Sequence, residues 1–300
     1  YVVNNHISDF VRRHMNTRLS KNPGPVFMYN TWTPFQRNIS DGLVRELADI
    51  AAECGVELFA IDAGWENDRG DWKINREKFP DGLGPVFDYI RSKGMEPGLW
   101  ISLATVTKEP WSVFTTAEVF EEHPEWFVRD AEGNFCNLHN SRPQLRTACL
   151  ATGWYDYIKS KMLNLVKQHD LKYLKVDLAA VASAYRYDPA ISGCYAKNHD
   201  LHRDRNESLL VLYRRIWQLF DDLHAEAPDL FIDCTFETMG APQLIDYAMC
   251  KHAEGNWLSN FRSAPPLGSL RIRNMAWWRS PAVPASSLLI GSQSLDARDW

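Results

Sequence analysis

Short hydrophobic stretches alternate along this chain with segments whose apolar residues recur at helical spacing. The stretches are typical of buried strands, and the periodic segments are typical of amphipathic helices. Strands are predicted over Pro25–Asn30, Glu57–Asp62, Gly98–Ala104, Leu171–Leu178, Leu230–Phe236, Ala248–Glu254, Trp277–Val283 and Ser287–Ser292. Helices are predicted from a cap at Ser40 to Ala51 and over Leu83–Lys93, Tyr155–His169 and Ser208–Ala225.

This alternation of strands and helices predicts a parallel sheet, either open and doubly wound or closed into a barrel. The sequence has no Gly-x-Gly-x-x-Gly after the first strand and no Gly-Lys-Ser/Thr, which disfavours a nucleotide-binding sheet. The strand candidates in 300 residues favour an α/β fold, the (βα)8 TIM barrel. We expect the barrel to span residues 23–300, with residues 1–22 ending a preceding segment or linker. Flanking β-domains are expected in a longer chain.

The composition narrows the range of partners. Hydrophobic residues make up 45% of the chain, which allows a large core. The net charge of −5 gives no reason to expect nucleic acid or an anionic membrane as a partner. No apolar stretch is long enough to predict a membrane span. The 12 tryptophans are many for this length, and indoles stack well on sugar rings, although most are expected in the core.

The cysteines are dispersed: Cys54, Cys136, Cys149, Cys194, Cys234 and Cys250 form no Cys-x-x-Cys pair. This spacing argues against a zinc site and against a dense disulfide framework. It also favours a reducing compartment. The cellular location and self-association into a homo-oligomer are left open by the sequence.

Polar side chains and indoles collect at the predicted carboxyl ends of the strands, the face that forms the active site of a (βα)8 barrel. They are Trp32, Asp62, Trp65, Trp100, Lys175, Asp177, Cys234 and Glu254. Lys175 and Asp177 are two residues apart on one strand, so both point to the same side. A buried lysine and aspartate must pair or meet a polar ligand. With indoles beside them, they indicate a sugar site rather than a phosphate site.

A series of short motifs runs in order from about Pro25 to about Trp257. Phe59-Ala-Ile-Asp-Ala-Gly-Trp65, Gly70-Asp-Trp72, Glu77-Lys-Phe-Pro-Asp-Gly-Leu83 and Gly98-Leu-Trp100 are followed by His123-Pro-Glu-Trp126, Arg142-Pro-Gln-Leu145 and Lys175-Val-Asp177. The set resembles the catalytic barrel of glycoside hydrolase family 36, the α-galactosidases and their relatives. Lys-Val-Asp in place of Lys-Trp-Asp resembles the raffinose synthase branch of that family.

By this resemblance Asp177 is the expected nucleophile of a retaining α-glycosidase. The resemblance also implies contacts to a galacto-configured sugar: Asp62 to the 4- and 6-hydroxyls, Lys175 to a further hydroxyl, Trp65 and Trp100 as pocket walls, and Arg142 from its loop. A retaining enzyme needs one ionised and one protonated carboxyl about 5–5.5 Å apart. Lys175 would keep Asp177 ionised. Two carboxylates suffice for this reaction, so no cofactor and no metal are expected.

Several positions depart from the family pattern. Ala63 replaces the second aspartate of Asp-Asp-Gly-Trp, and Ala179 replaces the asparagine after the nucleophile strand. The family's Cys-x-x-Gly, which faces the sugar 2-position, is Cys234-Thr-Phe-Glu237 here. Cys234 and Glu237 are therefore expected to bind substrate. If Glu237 faces the 2-position, its carboxylate suits a 2-ammonium group, whereas the alternative is that Glu237 faces solvent or an arginine.

The acid/base segment of the family, Trp-Thr-Ser-Asp, has no clean copy in this chain. The nearest carboxylate is Glu254, which we assign as the catalytic acid/base beside Asp177. The alternative is that Glu254 only forms an ion pair with Lys251 or Arg262. If Glu254 is not the acid, Glu237 and Asp246 are the next residues to consider.

The leading hypothesis is an exo-α-glycosidase that hydrolyses terminal α-linked galacto-configured sugars by double displacement. The first alternative is an α-galactosaminidase or α-N-acetylgalactosaminidase. The second is a raffinose-synthase-like α-galactosyl transferase, which shares the covalent step and differs in the acceptor. An alternative of another class is an inactive carbohydrate-binding homologue. In each case the partner is an oligosaccharide or glycoconjugate.

Overall fold

The computed structural model describes residues 2–18, 26–111, 114–139, 142–177, 193–234, 247–257, 273–274, 276–281, 283 and 285–289. The helices are Val2–His14 (α1), Trp32–Phe35 (α2), Asp41–Glu53 (α3), Gly84–Ser92 (α4), Glu118–Glu122 (α5), Trp154–His169 (α6) and Arg205–Glu226 (α7). The strands are Met28–Asn30 (β1), Leu58–Ile61 (β2), Glu96–Ser102 (β3), Thr105–Thr107 (β4), Asn137–His139 (β5), Arg142–Thr147 (β6), Tyr173–Asp177 (β7), Phe231–Cys234 (β8), Asn256–Trp257 (β9) and Leu288–Leu289 (β10). Within these ranges no helix has the length and apolar character needed to cross a bilayer.

A parallel sheet forms the framework of the molecule, with strand order β1-β2-β3-β7-β8. A parallel bridge between Asp233 and Gly255 continues the sheet to β9, which pairs in parallel with β10. The long helices α3, α4, α6 and α7 each connect one strand of this sheet to the next. The described strands therefore form an arc of βα units, as expected for part of a TIM barrel.

The two faces of this arc are both apolar, and they pack against different partners. Residues such as Phe59, Leu99 and Val176 point outward and join the helices in the large core. Their strand neighbours point inward and form a separate cluster made of Leu58, Ala60, Tyr173, Phe231, Trp257 and Leu289, with Val26 and Met28 against it. The interior of the arc is thus lined with apolar side chains, several of which also border a cavity of about 440 Å³.

Gly98 on β3 makes room for this interior packing. A Cβ atom at Gly98 would lie 2.6 Å from Cδ1 of Tyr173, which is closer than side chains approach each other. The Tyr173 ring therefore occupies the volume that any other residue at position 98 would fill. This explains the glycine of the Gly98-Leu-Trp100 motif in terms of packing rather than backbone conformation.

A small antiparallel sheet, β4-β6-β5, is inserted between β3 and α6. It lies beside the carboxyl end of the parallel sheet, since Ala148 N–H donates to Ala104 O at 2.8 Å and Leu103 N–H donates to Asp177 O at 2.9 Å. The insertion thus stands at the edge where the polar strand ends were predicted.

The predicted helices and strands agree best with the structure in the first three quarters of the chain. Ser40 Oγ accepts a hydrogen bond from Leu43 N–H and caps α3, as its sequence predicts. Two late predictions are wrong: residues 276–279 are helical rather than a strand, and Ala248–Glu254 contains the 3-10 turn Met249–Lys251, so that the strand starts at Asn256. The predicted strand Ser287–Ser292 corresponds to β10.

Candidate active site

The polar strand ends meet at one edge of the parallel sheet. Trp100 on β3 is in register with Lys175 on β7, and Lys175 is in register with Asp233 on β8. Asp177, the last residue of β7, is half-buried at this edge, and Asp62 directly follows β2. Because the strands are parallel and in register, these side chains share one mouth, as the sequence predicts for all of them except Asp233, which it did not single out.

Lys175 and Asp62 form a buried ion pair at this mouth. Nζ of Lys175 is 2.8 Å from Oδ2 of Asp62, and the two side chains are 2% and 1% exposed. Asn30 Nδ2 also donates to Oδ2 of Asp62 at 2.9 Å, and Thr31 Oγ1 accepts the Asp62 N–H at 2.9 Å. Burial alone would lower the pKa of Lys175, but Asp62 and Asp177 outweigh it and the pKa is raised. The lysine is therefore a fixed cation beside Asp177.

Trp100 holds the carboxylate of Asp177. Its indole Nε1 donates to Oδ2 of Asp177 at 2.9 Å. The backbone carbonyl of Trp100 accepts the indole N–H of Trp65 at 2.9 Å. Trp65 is fully buried and stacks on Trp72, whose ring meets the edge of Trp100. Trp65 thus lies behind Trp100 and supports it, rather than forming an open pocket wall.

Asp233 is an interior carboxyl that the motif comparison missed. Its Oδ2 accepts the hydroxyl of Tyr173 at 2.6 Å, while Oδ1 has no hydrogen-bond partner in the described part of the chain. Complete burial raises the pKa of Asp233 to about 7, although Tyr173 and Lys175 lower it, and Asp177 raises it further. Strand alternation puts Asp233 on the same face of β8 as Phe231, but the sequence alone does not show that this face is the interior one.

Cys234 points away from the mouth, contrary to the predicted role in substrate binding. It is 2% exposed and packs in the large core beneath the helices. The reason is the strand alternation, which turns Cys234 outward when Asp233 faces inward. The prediction that Cys234 contacts the sugar is therefore wrong in this structure.

Glu254 does not lie beside Asp177, so the predicted placement of this residue is wrong. It lines a cavity of about 440 Å³ together with Met28, Leu58 and Tyr173, the first residues of β1, β2 and β7. Asp177 is the last residue of β7, so the two carboxylates lie toward opposite ends of the sheet.

The partners of Glu254 explain why a carboxylate is buried there. Its Oε2 accepts the backbone N–H of Ile232 at 2.9 Å, and its side chain is 3.0 Å from Nε2 of His224. Arg18 donates its guanidinium Nε–H to Oε1 of Glu254. This network ties α7, β8 and the segment after α1 together, which is a structural function. The ion-pair alternative is therefore correct in kind, with Arg18 as the partner in place of Lys251 or Arg262.

Two predicted substrate contacts cannot be located at the mouth. Arg142 is the first residue of β6 and is paired with His139 across the small sheet, and its side chain is outside the described part. Glu237 lies outside the described residues, as do Asp246 and Ala179. Their assignments remain predictions.

Comparison with known proteins agrees with this architecture. The family model described as Melibiase matches residues 2–283. An α-galactosidase of Escherichia coli is 31% identical over 167 residues, which cover 51% of this chain and 21% of that protein. A probable α-galactosidase C of Aspergillus oryzae is 24% identical over 226 residues, covering 68% of this chain and 26% of that protein.

Solved structures of the same kind superpose on almost the whole chain. The crystal structure of an α-galactosidase from Lactobacillus brevis matches with a TM-score of 0.73 and 20% identity, covering 95% of this chain and 36% of that one. A variant of the α-galactosidase AgaA of Geobacillus stearothermophilus, in complex with 1-deoxygalactonojirimycin, matches with a TM-score of 0.70 and 22% identity, covering 95% and 37%. At this identity the likeness shows the fold. The chain spans 21% to 37% of the length of these four proteins.

Proposed function

Because this chain belongs to the melibiase family, we propose that it is the catalytic domain of a retaining exo-α-galactosidase. The observation that carries the proposal is Asp177, a half-buried carboxylate at the carboxyl end of β7, with Trp100 bound to one oxygen and the Lys175–Asp62 pair beside it. The proposed substrate is an oligosaccharide or glycoconjugate with a terminal α-linked galactose.

In the proposed mechanism Asp177 attacks the anomeric carbon and forms a β-glycosyl ester, while a general acid protonates the leaving oxygen. Water then attacks the ester with help from the same group acting as base, and the sugar is released with its α configuration retained. Lys175 keeps positive charge beside Asp177, which favours the ionised nucleophile. The hydrogen bond from Trp100 orients the carboxylate oxygens.

Recognition of the sugar would use the same buried pair. Asp62 has acceptor oxygens and Lys175 has donor hydrogens, so together they match hydroxyl groups that both donate and accept. Their burial excludes water from these contacts and makes them selective for correctly placed hydroxyls. Ala63 removes one carboxylate contact that the family pattern provides. The specificity for galactose should therefore rest more heavily on Asp62.

The general acid in this proposal comes from the segment that follows β8. Since Glu254 is remote from Asp177, we assign Glu237 as the general acid, with Asp246 as the second candidate. Both follow the carboxyl end of β8 in sequence, and β8 is the strand next to the one that carries Asp177. A loop in that position can bring a carboxyl to the distance from Asp177 that a retaining enzyme needs.

We also propose that the arc of strands closes into the complete (βα)8 barrel. Leu289 on β10 belongs to the interior cluster and Met28 on β1 packs against it, although these strands are at opposite ends of the strand order. Strands that share one interior are expected to surround it.

The function is tested with nitrophenyl glycosides and the purified chain. The α-galactoside should be hydrolysed, and NMR should detect the α-anomer as the first product. Asp177→Asn should abolish turnover without unfolding the protein, because an amide cannot form the glycosyl ester. Asp88→Asn is the matched control, since Asp88 is exposed on α4 and should leave activity unchanged. First release of the β-anomer, or an active Asp177→Asn variant, would refute the mechanism.

The same assay separates the alternatives. If Asp246 is the acid, Glu237 can instead face the sugar 2-position, where the family has a glycine, and its carboxylate then favours a 2-amino sugar as the second candidate substrate. Faster hydrolysis of the α-galactosaminide or its N-acetyl form would support that candidate. Galactosyl transfer to an added sugar acceptor in preference to water would identify a transferase. A folded chain that binds galactose and hydrolyses none of the glycosides would be a carbohydrate-binding homologue.

The acid is identified by chemical rescue. Glu237→Gln or Asp246→Asn, whichever removes the acid, should slow glycosides with poor leaving groups far more than activated aryl glycosides. Added azide should restore turnover of the activated substrate, because a small anion attacks the glycosyl-enzyme without a general base. If neither variant shows this pattern, the acid does not come from this segment.

A further inference from the structure

Two cysteines and two histidines outside the active site converge on one point. One potential ligand atom from each of Cys149, Cys194, His199 and His202 lies within 4.8 Å of the other three. Sγ of Cys194 is 3.5 Å from Nδ1 of His199, and Sγ of Cys149 is 3.9 Å from Nε2 of His202. With Zn–S bonds of about 2.3 Å and Zn–N bonds of about 2.0 Å, tetrahedral geometry puts sulfur and nitrogen ligands about 3.5 Å apart. The spacing fits one tetrahedral ion.

The hydrogen bond of His199 selects the tautomer that a metal requires. Nε2 of His199 is 2.7 Å from the backbone carbonyl of Glu125. A carbonyl only accepts, so Nε2 carries the hydrogen in the neutral ring and Nδ1 presents its lone pair. Nδ1 is the atom that faces Sγ of Cys194. Metal-bound histidines in proteins regularly donate their second N–H to a carbonyl in this way.

The charge balance of the group also suits a divalent ion. All four side chains are buried, with exposed fractions of 0% to 4%. Two thiolates and two neutral imidazoles carry a charge of −2, so a bound Zn²⁺ gives a neutral centre that can be buried at low cost. Soft sulfur and imidazole ligands in a tetrahedral set are typical of zinc.

The ligands come from two separate parts of the chain. Cys149 follows β6 at the end of the small sheet, and the other three precede α7, which begins after its cap at Asp204. The two parts also meet through their backbones, since Tyr195 N–H donates to Arg129 O at 2.9 Å. An ion at this point would join the insertion that follows β3 to the loop that follows β7. These are the two loops next to Trp100 and Asp177.

We propose that Cys149, Cys194, His199 and His202 bind one zinc ion as a structural site. Four protein ligands leave no open coordination position, so the ion has no part in the glycosidase chemistry. Binding displaces one proton from each thiol and crosslinks the two loops. The crosslink holds residues 194–202, which precede α7, against Cys149 at the end of the small sheet, and thereby stabilises the packing of these two parts of the chain.

Cys149 and Cys194 are far apart in sequence and meet only through the fold, so the spacing of the cysteines alone does not indicate a zinc site. The segment Cys194-Tyr-Ala-Lys-Asn-His199-Asp-Leu-His202 contains three of the ligands at short spacing and is the signal that could have indicated the site.

The proposal is tested by measuring metal content and cobalt spectra. Protein purified without chelators should contain one equivalent of zinc by plasma mass spectrometry. After removal of the zinc, Co²⁺ should bind with the intense d–d absorption of a tetrahedral site and with thiolate-to-cobalt charge-transfer bands. The spectrum reports the ligands directly, whether or not the glycosidase is active. Removal of the metal should lower the melting temperature, and added zinc should restore it.

Cys149→Ser and Cys194→Ser should each abolish stoichiometric zinc binding and weaken the charge-transfer bands. The matched controls are Cys136→Ser, which changes a buried cysteine outside the group, and Cys54→Ser, which changes an exposed one. If the cysteine variants do not fold, the cobalt spectrum of the parent protein still decides. The proposal would be overturned if the protein bound neither zinc nor cobalt. The four side chains would then be held together by hydrogen bonds between the thiols and the histidines. A Cys149–Cys194 disulfide in the purified protein, or cobalt spectra without thiolate bands, would also overturn it.

Discussion

The indole N–H of Trp100 donates a hydrogen bond of 2.9 Å to Oδ2 of Asp177, the half-buried carboxylate at the end of β7. The two residues are on adjacent parallel strands, where Trp100 is level with Lys175 and Ser102 is level with Asp177. The indole therefore reaches along the strand by two residues to the carboxylate. Trp100 is an electrostatic partner of the proposed nucleophile as well as an apolar surface.

Trp100→Phe should lower kcat without a large change in stability. The phenyl ring retains most of the apolar volume but loses the N–H that orients Asp177. A hydrogen bond to a charged group contributes about 1.5–3 kcal/mol, which corresponds to roughly a 10- to 100-fold loss of rate. The measurement is steady-state hydrolysis of the nitrophenyl α-galactoside.

The matched control is Trp217→Phe on α7. The Nε1 of Trp217 has no hydrogen-bond partner in the described residues, so the same substitution there removes no hydrogen bond and only alters ring contacts. It should leave kcat within twofold or so of the parent protein. Equal losses in the two variants would indicate that Trp100 acts only through packing.

Lys175→Met should destabilise the protein and remove activity together. It leaves the carboxylate of Asp62 buried with only neutral donors, and breaking such a pair costs about 3–5 kcal/mol. The free energy of unfolding is measured by urea denaturation. Lys167→Met is the control, because its ion pair with Glu226 is exposed and contributes at most about 1 kcal/mol.

The double variant Lys175→Met with Asp62→Asn separates the two effects of this pair. It removes both charges, so a large part of the lost stability should return. Activity should remain absent, because the proposed sugar contacts and the cation beside Asp177 are both gone. A double variant no more stable than Lys175→Met would show that the pair is not the source of the destabilisation.

Glu254→Gln should affect stability rather than acid catalysis. Glutamine keeps an oxygen for the Ile232 N–H but loses the charge that faces Arg18 and His224. The expected loss is about 1–3 kcal/mol in the free energy of unfolding. Any loss of rate should be equal for natural and activated aryl substrates, and azide should have no effect. A leaving-group dependence with azide rescue would restore Glu254 as the acid.

The positions of Cys234 and Glu254 were predicted wrongly from the sequence. Hydrophobic periodicity identifies strands, but it does not fix which face of a strand is interior or where the strand begins. The predicted strand Leu230–Phe236 has apolar residues on both faces, so its sequence does not reveal which face lies in the interior. In the structure Asp233 faces the interior, and Cys234 therefore faces the helices. For Glu254, a displacement of the strand start from Ala248 to Asn256 moved the carboxylate toward the opposite end of the sheet. Its partner Arg18 is remote in sequence and gave no local signal.

By contrast, the mouth itself was predictable because it depends on local rules. Asp62 and Asp177 each follow a short buried run, and parallel strands bring their carboxyl ends together. Lys175 and Asp177 share a face by strand alternation alone. Cys194, His199 and His202 of the proposed zinc site are close in sequence, whereas Cys149 reaches them only through a contact between distant parts of the chain that no local pattern shows.

Asp233→Asn should change how stability depends on pH. The pKa of Asp233 is raised from its ordinary value of 3.8 to about 7, chiefly by burial. Below the lower value the carboxyl is protonated in both the folded and the unfolded chain, so it has no effect on stability. Between the two values the unfolded chain loses the proton while the folded chain keeps it. The free energy of unfolding of the parent protein therefore falls as the pH rises through this window.

Asparagine cannot ionise, so this dependence should be absent in the variant. The amide oxygen that Asp233→Asn introduces can still accept the hydroxyl of Tyr173, which keeps the packing of the interior. The stability of the variant relative to the parent should therefore rise between about pH 4 and about pH 8. A difference of about three pKa units corresponds to an upper limit of roughly 4 kcal/mol. Urea denaturation across this pH range measures it, with exposed Asp88→Asn as the control. A constant difference across the range would show that Asp233 is ionised in the folded protein throughout.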